Sequence, residues 1–400
     1  MLFNKNVTLE IISKIGKDNF FSSATKPVTD KPFTGWKVLD AEGNVICLRC
    51  LMPFREVLEG HGFKGNVRAF PNKLVWCTFA INDSEYANNI PAFDEKFRPE
   101  PRHINLLIDV LNGTNAAGYG RGYYGFGEAG TGKTSTAHWL FAVLGIACVQ
   151  LNCKPQMEVE EMFISHTAKD GKWSQAEGPI LKAIRLNYPL VIDEMDLAPA
   201  EFIPALNNLV EGRKFSVTFC DKMLQAGDNF KVIGFGNTSG SGMESGCYQG
   251  RSPLDASSLD RLYKDYYEPL SKERYMALIE SHGFEIESEL SSQLCDFIVA
   301  VNKSVRDEQA LPEMISPRGL LGICNLLQTN EGILKNPLLF AIGSVMSSIL
   351  ENSEYREKVF TLFSAHLTNS VLSTNQIEQS WGERFEVVTD TEETEQKEEE

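Results

Sequence analysis

The sequence predicts an α/β fold: a parallel sheet flanked by helices, preceded by a small mixed region and followed by a small helical domain. Three observations carry this. Strand-like and helical patterns alternate from about residue 120 to 265. Within that stretch a glycine-rich loop stands between a short aromatic strand and an apolar helix. From about residue 270 to 370 the pattern is helical, in pieces at 271–283, 287–303, 317–328 and 336–368.

Composition sets the bounds. The 400 residues are 42% hydrophobic and 23% charged, which is ordinary globular chemistry with room for two or three domains. Gly and Pro make up 12%, too little for a collagen-like or low-complexity chain. The formal charge is −16, of which residues 386–400 contribute −7. So acidic a chain is not expected to bind nucleic acid through a broad basic face. The nine cysteines are scattered and odd in number, which reads as reduced thiols in a cytoplasmic protein rather than a disulfide framework. Lys5, Glu10, Lys14 and Lys17 break the N-terminal apolar stretch, leaving no signal-peptide core. Thr134–Cys153 is twenty residues without a formal charge, but Gly145 splits it, so a buried helix followed by a buried strand is expected and no membrane span.

The elements follow in order. Residues 1–90 carry short β-like runs (Trp36–Leu39, Asn44–Leu48, Lys73–Phe79) between turn signals. Residues 91–103 hold three prolines and lead into a helix at Ile104–Leu111. The α/β domain is assigned to 91–268 and the helical domain to 269–370. Residues 371–400 are expected to be an acidic, disordered tail.

Gly127-Glu128-Ala129-Gly130-Thr131-Gly132-Lys133-Thr134-Ser135 contains a complete Walker A motif. Its glycines let the backbone wrap phosphates so that successive N–H groups face anionic oxygens. The helix that follows offers its positive N-terminal end. Lys133 reaches the β- and γ-phosphates, and the Thr134 hydroxyl ligates Mg²⁺. ATP with Mg²⁺ is therefore the expected ligand.

Sixty residues after Lys133, Tyr188-Pro-Leu-Val-Ile-Asp193-Glu194 is a buried strand ending in adjacent carboxylates. Alone it would be a common strand end with solvated acids. After a Walker A at this distance, Asp193 is assigned to the Mg²⁺ shell and Glu194 to polarising the attacking water. Asp196 reads instead as a helix N-cap or a surface acid. A further strand, Phe230–Gly236, ends in Asn237, placed to contact water or the γ-phosphate.

Taken in order, the Walker A loop, Asp193-Glu194, Asn237, Leu259-Asp260-Arg261 and Ser316-Pro317-Arg318 resemble an AAA+ ATPase. The closest likeness is to the MoxR/dynein-related group, and within it to the CobS-type ATPase subunit of aerobic cobaltochelatase. Gly236–Gly250, Gly178-Pro-Ile-Leu-Lys-Ala and Phe97-Arg98-Pro99 add to it, so that the likeness spans about residues 90–365. The resemblance implies an AAA+ domain with a helical lid and a homo-oligomeric ring, a hexamer, acting on a partner protein. That partner would be a chelatase-type subunit or an adaptor. A MoxR-like remodelling ATPase unrelated to cobalamin, or a non-hydrolysing nucleotide scaffold, are the alternatives. The resemblance makes Arg261 the arginine finger acting on a neighbouring subunit, and Arg318 the second sensor; Arg213 and Arg251 are further interface candidates. It also makes Met162–Gly178, with its Lys169-Asp-Gly-Lys turn, a hairpin insert directed at the ring pore.

The N-terminal region departs from its model. CobS-type chains can carry a Cys/His zinc finger, but here Cys47, Cys50 and His61 lack a fourth ligand at short spacing. Zinc is therefore not expected unless Cys77 or His103 completes the set, and residues 1–90 are assigned as a degenerate finger in an adaptor-like region.

Overall fold

The computed structural model describes residues 20–22, 34–39, 45–79, 84–113, 122–169, 172–199, 201–217, 222–227, 229–240, 251, 253–367 and 374–387. They fall into two compact units, residues 1–128 with 132–267, and residues 129–131 with 268–400.

The first unit begins with a four-stranded sheet, β1 (Phe20–Ser22), β2 (Thr34–Leu39), β3 (Val45–Pro53) and β4 (Leu74–Phe79), in that order. β2, β3 and β4 pair antiparallel. Alternation along β3 and β4 turns Cys50, Met52, Val75 and Cys77 inward. They share one core with the helix Phe54–Gly60, with Ile104 and Leu107 of the helix Pro101–Asn112, and with Trp139 and Leu140.

Next along the chain come β5 (Gly122–Gly127), β6 (Val149–Asn152), β7 (Ile164–Lys169), β8 (Lys172–Glu177), β9 (Leu190–Asp193), β10 (Phe215–Val217), β11 (Lys222–Leu224), β12 (Val232–Gly236) and β13 (Leu262–Tyr267). Five of them form a parallel sheet in the order β13-β5-β12-β9-β6. Helices cover both faces, so the inner strands are apolar without alternation: Val232–Gly236 is buried throughout. Consecutive residues still serve opposite layers. Tyr123 packs with Trp139 and Phe235 on one side, whereas Tyr124 packs with Phe202 and Ile180 on the other. The expected α/β architecture is the observed one.

Two pairs stand outside this sheet. β7 and β8 form an antiparallel hairpin at the expected insert; its turn residues Asp170 and Gly171 lie outside the described residues. β10 and β11 form a second hairpin that the sequence did not announce. The uncharged stretch Thr134–Cys153 becomes the helix Lys133–Leu144, which Gly145 closes in the left-handed region at φ 64°, followed by β6. Among the described residues no helix is long and apolar enough to cross a membrane.

The second unit consists of the helices Lys272–His282, Ser288–Arg306, Pro317–Asn330, Pro337–Val345, Ser347–Leu350, Ser353–His366 and Thr374–Gly382. Two expectations change here. The single helical piece over 336–368 is three helices, because the chain breaks at Met346 and Asn352 then caps a new helix through Glu354 and Tyr355 N–H. The tail assigned to 371–400 is not unstructured throughout. Thr374–Gly382 is helical, Ile377 is fully buried, and Val387 bridges to Leu334. Two apolar residues in an acidic segment, Ile377 and Trp381, suffice to anchor it to the helical core.

Asn302 pins the loop before the helix Pro317–Asn330. Its side chain accepts from Ile315 N–H at 2.7 Å and donates to Ile315 C=O at 2.9 Å and to the Tyr275 hydroxyl at 3.2 Å. Asn302→Ala strands these buried groups and should cost about 2–3 kcal/mol. Urea unfolding of the full chain measures it; a loss under about 0.5 kcal/mol would mean that the loop is held otherwise.

Candidate functional site

Because β12 lies between β5 and β9, the ends of three parallel strands meet on one edge of the sheet. The glycine-rich loop leaves β5, Asp193 and Glu194 end β9, and Asn237 ends β12. The loop depends on glycine in two places. Gly127 has φ 148°, and a Cβ there would stand 2.3 Å from the Tyr267 carbonyl oxygen. Gly132 has φ 85° as N-cap of the helix Lys133–Leu144, with the Phe97 ring against it. The first N–H groups of that helix are thereby turned to the loop, as anion binding requires.

Lys133 is 8% exposed. Its Nζ donates to Gly127 C=O at 2.8 Å, Glu128 C=O at 2.7 Å and Asn237 Oδ1 at 2.9 Å. Burial lowers its pKa to about 8, working against Glu194, Asp196 and Asp193, which push it up; Arg251 adds to the lowering. An ammonium held by neutral oxygens at the mouth of a loop is poised for phosphate oxygens, which are stronger acceptors. Thr134 Oγ1 donates to Asp193 Oδ1 at 2.9 Å, so the hydroxyl and carboxylate assigned to Mg²⁺ are side by side. Mg²⁺ takes few protein oxygens and completes its shell with water and phosphate, and this pair fits that demand. Glu194 adopts a left-handed conformation, φ 52° and ψ 41°, a strained choice for a residue with a Cβ. Its Oε2 lies 3.5 Å from Asn237 Nδ2. Thus Lys133, Thr134, Asp193, Glu194 and Asn237 come together. Of the other loop residues, Thr131 is buried, Glu128 and Gly130 are half-buried, and Ala129 and Ser135 are exposed.

Two residues differ from expectation. Asp196 is neither a surface acid nor a cap: it is fully buried. One oxygen accepts from Asn237 N–H at 2.9 Å, Thr238 N–H at 3.0 Å and Thr238 Oγ1 at 3.0 Å. The other accepts from Arg251. Arg251, an interface candidate by resemblance, is turned inward onto Asp196 and Glu194 of its own chain. The third acid after Leu190-Val-Ile was the available signal for Asp196; nothing local marked Arg251 as its partner, and residues 241–250 lie outside the described residues.

Arg261 precedes β13. It donates through Nε to Glu211 Oε1 at 2.6 Å and through Nη1 to Ser257 C=O at 2.5 Å, and its side chain is 34% exposed. Arg213 pairs with the other Glu211 oxygen at 2.7 Å. Arg318 is exposed in the first turn of the helix Pro317–Asn330, just after the N-cap Ser316. The three candidate zinc residues are not gathered: Cys50 Sγ faces Cys77 Sγ at 3.3 Å across β3 and β4, and His61 Nε2 bonds Val143 C=O. Among the described residues no three His, Cys, Asp or Glu side chains form a metal cluster.

Sequence reading also missed the strand β13 and the buried polar chain it brings in. Asp265 Oδ2 accepts from the Tyr123 hydroxyl at 2.6 Å and lies 2.7 Å from His103 Nδ1. The Tyr123 and Tyr267 hydroxyls are 2.9 Å apart, and the His103 ring stacks on Tyr267. Charged Lys264 and Asp265 obscured the strand pattern, whereas Tyr263, Tyr266 and Tyr267 were its readable part.

The lysine sets a pH dependence. Phosphate oxygens favour its charged form, so the bound pKa lies above the free value of about 8. Mg·ATP binding near pH 8.5 should take up a proton, and affinity should fall as pH rises through 8. Calorimetry in two buffers of different ionisation enthalpy reads the uptake. Proton release, or none, would contradict the Lys133 assignment.

Residues 126–251 match the model of the AAA domain, dynein-related subfamily. An uncharacterized protein of Staphylococcus aureus is 24% identical over 207 residues, covering 50% of this chain and 76% of its own. An uncharacterized protein of Staphylococcus haemolyticus has the same identity and coverage. A crystal structure from Cytophaga hutchinsonii, provisionally described as an ATPase, superposes with TM-score 0.34 at 14% identity, covering 76% of this chain and 93% of that one. The matched segment runs from the end of β5 past β12 and carries the loop, both carboxylates and the asparagine, within an α/β unit of AAA+ architecture.

Proposed function

We propose that this chain is a Mg²⁺-dependent ATPase that works as a homo-oligomeric ring on a partner protein. The observation that supports it is the convergence of Lys133, Thr134, Asp193, Glu194 and Asn237 from three adjacent strand ends. Backbone N–H groups of Gly127–Ser135 and the Lys133 ammonium would hold the phosphates. Thr134 and Asp193 would hold Mg²⁺, which supplies charge neutralisation at the phosphoryl oxygens when bound. Glu194 takes the proton of the attacking water, and Asn237 orients that water or the γ-phosphate.

The ring rests on Arg261. Partly exposed beside the edge strand β13, it is available to a second copy, and Glu211 holds it together with Arg213 meanwhile. An arginine offered across an interface neutralises charge on the transferring phosphoryl group and couples turnover to assembly. In this reading Arg318 is the second sensor, and the β7–β8 hairpin is the insert that meets the partner. The finer identity, a CobS-type motor for cobalt insertion into a corrinoid, is supported by the likeness in Gly236–Arg261 and Ser316–Arg318. A pull-down with the Glu194→Gln chain held in ATP tests it by whether a chelatase-type subunit is retained.

Lys133→Ala should abolish ATP binding in a calorimetric titration, and unchanged affinity would sink the phosphate loop. Glu194→Gln should bind ATP normally and lose turnover by about 10²–10⁴. Phosphate release at the wild-type rate would put the base elsewhere.

Arg261→Ala should bind ATP yet hydrolyse it slowly, and mixing it with Lys133→Ala should restore activity. In a mixed ring some interfaces pair an intact loop from one chain with an intact arginine from the other. A finger is typically worth ~10³–10⁵ in rate, so even a minority of repaired interfaces is visible. With exchange of labelled subunits demonstrated, no recovery at any ratio excludes action in trans.

A further inference from the structure

The first unit encloses a cavity of about 400 Å³. Ile146 and Ala147 before β6, Pro189 before β9 and Asn229 before β12 line it. It therefore sits at the amino ends of the parallel strands, whereas the nucleotide residues stand at their carboxyl ends. Ile108 and Leu111 of the helix Pro101–Asn112 form a second wall, and β3 and β4 supply the third. Cavities of about 300–1,000 Å³ suit drug-sized ligands. Packing faults, by contrast, are small and apolar.

Charge enters this cavity through β3. Cys50 and Met52 face the core, so the pleat turns Cys47 and Arg49 to the opposite face, and both line the space. Register sets Arg49 opposite Thr78 and Leu51 opposite Trp76, so Trp76 shares that face. The Tyr86 hydroxyl lies 3.5 Å from Thr78 Oγ1 and 3.1 Å from Gly145 C=O. Burial pushes its pKa up, and the Arg49 guanidinium works against that rise. Tyr86 meets Tyr188 edge to face, with ring centroids 5.4 Å apart. Asn187 adds a donor. Its Oδ1 accepts from Asn229 and Phe230 N–H, both at 3.1 Å, which fixes the amide so that Nδ2 is the end left to donate.

We propose that this cavity is a second ligand site, which takes a small aromatic carboxylate with its ring among Trp76, Tyr86 and Tyr188 and its carboxylate on Arg49. The class follows from the charges. Arg49 and the exposed Glu85 are the charged lining residues, so the walls offer one cation and are neutral overall. A planar guanidinium has five N–H donors and matches a planar carboxylate in a bidentate pair. A phosphate carrying two charges would meet that one cation with Glu85 nearby, whereas Arg49 balances a monoanion. A neutral aromatic would cover the guanidinium without replacing its water. The site gives β3 and β4 a role apart from hydrolysis, because they supply the cation and one of the rings.

Calorimetric titration of the full chain tests this with cinnamate and indoleacetate, each beside its primary amide. At least one acid should bind once per chain, about tenfold or more tighter than its amide. Saturating Mg²⁺ with a non-hydrolysable ATP analogue should not compete with it. Arg49→Met should bring the acid down to the affinity of the amide. If that chain fails to fold, Arg49→Lys carries the test with a loss of about threefold to tenfold, since an ammonium does not reproduce the planar fork. Leu111→Trp, which fills the space, should abolish binding of acid and amide alike without lowering Tm. Binding of neither acid, equal affinity for acid and amide, competition by the nucleotide analogue, or affinity that the Arg49 and Leu111 variants leave unchanged overturns the proposal. The ATPase reading stands apart from these outcomes, because it fails on ATP binding and turnover instead.

Discussion

The buried carboxylate of Asp196 is the interaction on which the site's geometry depends. It stands two residues beyond Glu194, and it fastens the end of β12 by accepting from Asn237 and Thr238 N–H. The same group fixes Arg251. Without it, the end of β12 would carry two unpaired buried N–H groups, and Asn237 would have no defined height above the sheet. Strand order brings the three ends near one another; Asp196 converts nearness into register. A buried charge with donors on both oxygens is costly to disturb, which makes it a good fixed point for its neighbours.

Glu194 is built differently. Its left-handed backbone turns the chain sharply between β9 and Asp196, and the conformation persists only because both sides are held. Strand pairing fixes Asp193 on one side, and the buried Asp196 fixes the other. Between two buried or strand-held acids sits a partly exposed one. Asp193 is tied to Thr134, whereas Glu194 keeps partial exposure, which suits the base proposed for it.

What was legible in the sequence was local. The phosphate loop, the strand ending in Asp193-Glu194 and the strand ending in Asn237 each carry their signal within a dozen residues, because each combines a periodic apolar run with a chemically obligatory end. Asp196 and Arg251 are 55 positions apart, and neither meets a pattern that names the other. β13 escaped because an edge strand buries little: Tyr263 and Tyr266 are half-exposed, so only part of its alternation is enforced. The helix Thr374–Gly382 escaped because composition averages over a segment, while docking needs two apolar contacts. Sequence thus gives those features that a short segment can satisfy alone. It misses those in which one residue's environment is completed from elsewhere in the chain.

Charge accounting gives the site its last property. Asp196 and Arg251 cancel, leaving Asp193 and Glu194 against Lys133, a net formal charge of −1 at the place where a nucleotide polyphosphate would bind. Lys133 is also weakened as a cation, since burial brings its pKa to about 8. Such a site repels a bare polyphosphate, and the helix N-terminus offsets only about half an elementary charge. A divalent cation entering with the phosphates reverses the balance to +1 and supplies the attraction that the side chains withhold. The protein's own charges therefore favour the metal complex over the free anion. Glu194 contributes to that preference as long as it stays ionised, whether paired with Arg251 or not.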